Sequence, residues 1–186
     1  MNIFYLSENQ HLCAQYHNDK HCVKMILEYS QLLSTAHRVL DGTMTTGINN
    51  NGRKQTSYVL ADSRDNILYR ATHLNHPSSI WVRQSTENYM WLAELLVQLC
   101  NEYTYRYGKV HKCEQSGLVN ILATTIPNNI PHHSFTQPTP AMPTDCILHN
   151  DSMLSYRNYY IIKKKHIASW CGKINSRQVP DWYNYE

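Results

Sequence analysis

Residues 10–40, QHLCAQYHNDKHCVKMILEYSQLLSTAHRVL, contain neither Gly nor Pro. Apolar residues recur through them at helical spacing, so the run predicts one long helix. At about 100° per residue, Leu12, Tyr16, Val23, Ile26, Leu27, Leu33 and Leu40 share one side, with Asp19 and His37 in its middle. His17, Lys20, His21, Lys24, Glu28 and Gln31 gather opposite. A carboxylate on an apolar stripe must be paired, hydrogen-bonded or protonated, because desolvation penalises its charge. Asp19 is therefore either a structural acid or the wall of a cleft.

The chain has 186 residues, enough for a single domain over 1–186 with its own core. Its 14 Tyr against 2 Phe supply many aromatic faces with polar tips, suited to half-buried positions and to stacking on bases or sugars. A net charge of +3 implies no nucleic acid by itself, but its distribution is uneven. Between Ser152 and Pro180 there is no acid, while Arg157, Lys163, Lys164, Lys165, Lys173 and Arg177 are all basic. That segment is either a solvated helix end or a surface for phosphates. The six Cys are scattered without metal-site spacing, so they are expected as reduced thiols in the cytoplasm. No apolar run reaches the ~18 residues of a membrane span, so no membrane is expected as a partner.

Along the chain, residues 2–6 form a short buried strand or an extended terminus. A polar Gly/Asn-rich loop is expected over 42–57. Asn75-His76-Pro77 opens a second long helix, reaching residue 107, with Pro tolerated in its first turn. On it Arg83 and Glu87 are i,i+4 neighbours that can pair. A shorter helix covers about 115–125, and five prolines make 127–143 an irregular strap. A last helix spans about 151–170. The expected fold is mainly α: a single compact domain built on two long helices with irregular Pro-rich straps.

His17-x-x-x-His21 would place two imidazoles one turn apart on an unbroken helix. Asn18 stands where a zinc protease needs Glu. His73 and His76 are further imidazoles, but no third ligand is fixed by spacing, and Lys20 and Lys24 oppose a cation. No metal and no cofactor are expected. The same basic residues suit an anion: His17, Lys20, His21, Lys24, Arg38 and Arg83 are candidate phosphate ligands, with Lys163, Lys164 and Lys165 beside them. Walker A, Gly-x-Gly-x-x-Gly and Gly-x-Ser-x-Gly sequences are absent.

The stretch QHLCAQYHNDKHCV resembles the first catalytic helix of the phage pyrimidine-dimer DNA glycosylases, also called endonuclease V. The shared residues are Gln10, His11, Leu12, Ala14 and Tyr16. The second long helix and the closing Pro180-Asp181-Trp182-Tyr183 are similar in placement. NHPSSIWVRQS (75–85), EYTYRYGK (102–109) and YRNYY (156–160) also resemble uncharacterised proteins of tailed phages. The resemblance covers most of the chain in order, with identity concentrated in the first helix.

In that family a free N-terminal amine attacks the sugar C1′ and forms an imine. A Glu on the first helix assists, and basic residues grip kinked DNA. Since α-amines titrate near pH 8, a neutral fraction is available for attack. This chain departs at two places. It begins Met1-Asn2, where a bulky second residue leaves the initiator Met in place, and Asn18 or Asp19 stands near the family's Glu. The implied function is a DNA glycosylase and abasic-site lyase acting on damaged or modified bases. Met1, Asn2 and Asp19 would lie at the reacting centre, in the cytoplasm of an infected bacterium. The alternative is a non-catalytic phage protein that binds a small nucleotide, sequestering a host immune signal as an anti-defence device.

Overall fold

The computed structural model describes residues 1–48, 51–148 and 151–183. It is mainly α, and each of the two expected long helices is divided. The first becomes α1 (Gln10–Tyr16) and α2 (Asp19–Asp41). The break has a local cause. Asn18 adopts extended backbone and its side chain accepts the His21 amide, so it caps α2. Asn is a strong helix cap because its short side chain satisfies an otherwise orphaned amide. Asp19 then sits in the first turn of α2, where the helix dipole favours a negative charge.

This break also re-phases the helical wheel. Leu12, Val23 and Leu27, expected in the core, are exposed. The buried side of α2 is instead carried by Cys22, Met25, Ile26, Tyr29, Leu32, Leu33 and Ala36. His17 and His21, placed on the polar face by a continuous helix, are buried.

The second run divides at Arg83–Ser85 into α3 (Pro77–Val82) and α4 (Thr86–Tyr107), with Ser85 capping the Asn88 amide. Arg83 and Glu87 therefore lie on different helices, and the expected i,i+4 pair does not form on one face. α4 packs across both α1 and α2, and α3 packs on α2. α5 (Lys112–Gln115) and α6 (Leu118–Thr124) stand in place of the single helix expected over 115–125. The last helix, α7 (Ser152–Lys163), is shorter than expected and gives way to a 3-10 turn at Lys165–Ile167.

The expected loop at 42–57 is largely an antiparallel hairpin, β1 (Thr43–Ile48) with β2 (Lys54–Val59). Its polar residues gave no apolar alternation to read. Thr nevertheless favours extended backbone, and the Thr45 and Ser57 hydroxyls meet across the strands at 3.1 Å. The 127–145 strap is irregular as expected, with only a 3-10 turn at Thr144–Cys146. Side chains fasten it: Asn88 Oδ1 accepts the strap's Thr136 amide, the strap's Gln137 Oε1 accepts the Ser152 amide of α7, and Phe135 packs on Tyr5, Trp81 and Trp91.

One polar cluster ties the break in the first run to the rest of the fold. Arg106, fully buried near the end of α4, donates to the Gln15 and His17 carbonyls, to Asp19 Oδ1 at 3.0 Å and to Glu102 Oε1 at 2.6 Å. Arg177 caps the other side of Glu102 at 2.9 Å. Burial works against ionising Glu102, but the two guanidiniums outweigh it and hold its carboxyl below the ordinary range. No helix among the described residues is long and apolar enough to cross a membrane.

Three core imidazoles are held neutral chiefly by burial. His17 Nδ1 lies 2.8 Å from the Cys13 carbonyl and its Nε2 2.8 Å from the Tyr29 hydroxyl. His37 Nδ1 faces the Arg64 guanidinium, which can only donate, and its Nε2 meets the Tyr89 hydroxyl. His21 Nδ1 meets the Tyr160 hydroxyl, with Phe4 stacked on the ring. Burial above all lowers these rings from 6.5 to about 4 for His17, about 2 for His21 and about 4 for His37. Below about pH 6.5 the unfolded chain takes up protons that the folded one refuses. Stability is therefore full above that pH and falls as pH drops toward 4, by about 1.4 kcal/mol per pH unit for each such ring. Thermal unfolding followed by circular dichroism between about pH 7 and pH 5 should show a steady fall in Tm. His37→Gln should flatten that fall by one ring's share, and a flat wild-type profile would contradict buried neutral imidazoles.

Candidate functional site

Ile3, Phe4, Tyr5 and Leu6 are all buried, so the chain enters the core immediately after its second residue. The Phe4 amide donates to the Tyr29 hydroxyl at 3.1 Å, and Arg157 of α7 donates twice to the Leu6 carbonyl. First residues are ordinarily loose unless something ties them down. Here the tie reaches Met1 itself, whose carbonyl accepts the Ser78 hydroxyl at 3.3 Å.

The Met1 α-amine then lies 3.9 Å from Glu28 Oε2, with side chains only 5% and 15% exposed. The second carboxylate oxygen of Glu28 holds Lys24 Nζ at 3.0 Å, one turn earlier on α2. Lys24 is 68% exposed, so the Glu28 carboxylate links the amine to open solvent.

His76 completes the group. It caps α3, its Nδ1 accepting the Ser78 amide at 3.2 Å, which leaves the proton of the neutral ring on Nε2. Burial, then the positive charges of the amine and His73, lower its pKa, while Glu28 pulls the other way. His73 has a positive φ of 50° with its Nδ1 2.8 Å from the Thr72 hydroxyl. Such backbone is uncommon outside Gly and marks a segment held by its surroundings. Thr35 accepts the Thr72 amide and Arg83 donates to the Leu74 carbonyl, so both ends of this turn are fixed.

The arrangement joins a nucleophile to a proton carrier. A neutral amine adds to a carbonyl carbon, and a carboxylate within reach shuttles the protons that imine formation requires. A histidine beside them, its pKa lowered, is a neutral ring whose Nε2–H can donate a hydrogen bond.

Of the residues expected at the reacting centre, Met1 turns its amine toward Glu28 and Asn2 is partly buried next to it in the chain. Asp19 is elsewhere in its bonding. Its carboxylate takes Arg106, the Ser169 hydroxyl at 2.6 Å and the amides of Cys171 and Gly172. It does have the basic partner expected of it, but as a structural acid that fastens the C-terminal segment to the start of α2. The carboxylate beside the amine is Glu28.

The expected phosphate ligands divide. His17 and His21 are buried in core hydrogen bonds. Arg38 is spent on the carbonyls of Tyr58, Asp65, Leu68 and Tyr69 and on the Asp65 carboxylate, and Arg83 on Ser79 and Leu74. Lys163 pairs with Asp145 at 2.7 Å, and Lys164 lies over the Tyr159 ring. Lys20 and Lys165 are exposed, and Lys24 faces solvent beside the amine.

Glu28 and His76 were missed as centre residues. Glu28 is the one acid in α2 between Asp19 and Asp41, and the apolar Ile3–Leu6 run beside the terminus was the available sign that the amine is anchored.

The charges around His76 set a test. Glu28→Gln removes the negative charge that supports its protonation and should lower the His76 pKa further, whereas acetylating the Met1 amine should raise it. An NMR titration of the His76 ring reads both shifts, and no response to either change would separate His76 from the amine. Compared with family models, with curated proteins and with solved structures, the chain has no match.

Proposed function

We propose that this protein is a DNA-directed glycosylase and abasic-site lyase that works through the Met1 amine, with Glu28 as its proton carrier. The observation that carries the reading is the 3.9 Å approach of the Met1 α-amine to the Glu28 carboxylate. The resemblance to the pyrimidine-dimer glycosylases calls for this pair of groups, and Glu28 takes the role that Asp19 was expected to fill.

The chemistry follows from the pair. The neutral amine attacks C1′ of a deoxyribose, displacing a damaged base, or adds to the open aldehyde of an abasic site. In the second case the adduct loses its hydroxyl as water, with a proton delivered from Glu28, and a protonated imine remains. The Glu28 carboxylate then removes a C2′ proton. The electrons move into the C2′–C3′ bond, and the C3′–O bond breaks with the phosphate as leaving group. Water hydrolyses the imine and returns the amine. The His76 Nε2–H is a further donor for the sugar or leaving group. The exposed Lys20 and Lys24 offer charge to the phosphates on either side.

Borohydride reduction during incubation with abasic-site duplex DNA should trap a covalent adduct, mapped by peptide mass spectrometry to the N-terminal residue. Glu28→Gln should slow trapping more than tenfold, about 1.4 kcal/mol, and N-terminal acetylation should abolish it. Asp19→Asn should instead act chiefly on thermal stability. No adduct, or an adduct mapped to a lysine side chain, would reject the reading.

A further inference from the structure

A groove of about 900 Å³ opens between α2, the last turns of α4 and the segment 109–115. Val23, Leu27 and Val110 line it and are 38%, 40% and 44% exposed, which makes an apolar patch open to solvent. Tyr69 and Tyr103 add aromatic surface. The Tyr103 ring meets His111 edge-on at 5.2 Å, and His111 Nδ1 accepts the Cys113 amide, which puts the proton of the neutral ring on Nε2. Lys24, Lys109 and Lys112 are also part of the lining, and no carboxylate is.

This combination selects among ligands by chemistry. A bare phosphate needs converging donors and gains nothing from an apolar floor. An apolar peptide brings no counter-charge to Lys109 and Lys112, whereas Lys24 already has Glu28 at 3.0 Å. A flat heteroaromatic ring carrying a phosphate satisfies both halves, because bases stack on aromatic faces whatever their sequence and lysines hold the backbone. Lys24 sets the direction of the groove. It lines one side, and its Nζ is held by the same carboxylate that faces the Met1 amine.

We propose that this groove is a binding site for one unpaired nucleotide of a nucleic-acid strand, base against the Tyr103 side and phosphate on Lys24, Lys109 and Lys112. Its placement next to the nucleotide that reacts at Met1 rests on the imine chemistry proposed above. The stacked base stays out of the duplex, and the reacting sugar is thereby presented to the amine.

The test uses a short single-stranded oligonucleotide containing 2-aminopurine, whose fluorescence is quenched on stacking, beside the abasic-duplex trapping assay. Wild type should bind the oligonucleotide with quenching. Lys109→Glu and Val110→Glu, both at exposed positions, should each weaken binding tenfold or more, and Tyr103→Ala about fivefold or more. Lys109→Ala with Lys112→Ala should flatten the log–log salt dependence by up to about 1.4, roughly 0.7 per contact on a single strand. Acetylating the Met1 amine should keep oligonucleotide binding while losing trapping, so the two sites fail separately. Unchanged binding and trapping in both glutamate variants overturns the groove and leaves the amine chemistry standing. Groove binding of the oligonucleotide without any wild-type adduct upholds the site and rejects the amine chemistry. Tight binding of a free mononucleotide, with the oligonucleotide excluded, overturns the strand proposal in favour of sequestration.

Discussion

The buried Arg106 guanidinium is the constraint on which the rest depends. Its donors reach two carbonyls at the end of α1, the first acid of α2 and a glutamate of its own helix. A charge with no solvent access is tolerable only when it is paired and hydrogen-bonded, and removing one partner of such a pair costs about 3–5 kcal/mol. The fold therefore holds α1, α2 and α4 together at one point. That point is where the first helical run turns. The Arg106 carbonyl also accepts the Lys173 and Ile174 amides, which brings the C-terminal segment to the same place.

The turn has a consequence further along α2. Once the helix restarts at Asp19, its buried side is set by the new phase, and Tyr29 faces inward to hold the Phe4 amide. Glu28, next to Tyr29, then stands at the edge of the core where Met1 emerges. Its amine meets Glu28 in the phase that the helix takes after Asn18, ten residues earlier.

Much of the architecture was legible for simple reasons. A run without Gly or Pro, and a second opened by Pro77, marked the helical regions, and five prolines marked the strap. The failures share a cause: periodicity assumes one continuous phase. Asn18 is a good cap standing inside a good helix pattern, and nothing local says which role wins. The deciding bonds come from Arg106 and the Ser169 carbonyl, 88 and 151 residues away from it, the latter accepting the Asp19 amide. With the phase lost, Leu12, Val23 and Leu27 were assigned to the core, and the choice for Asp19 between structural acid and cleft wall stayed open. The hairpin was invisible for another reason, because strands that bury little carry no alternation. Glu28 looked like one more polar-face residue until the backbone brought the terminus to it.

The threading of residues 3–6 through the core bears on the order in which the molecule is made. Leu6 is made well before its partner, yet it is held by Arg157, 151 residues later. Phe4 likewise packs on Tyr156 and Tyr160 of α7. Closing contacts over such separations is slow compared with forming a helix. The nascent segment 3–6 thus waits for its α7 partners until residue 160 has been made. Cutting the chain before α7 would leave Phe4 and Leu6 without Tyr156, Arg157 and Tyr160, and without the packing that leads the segment past Glu28.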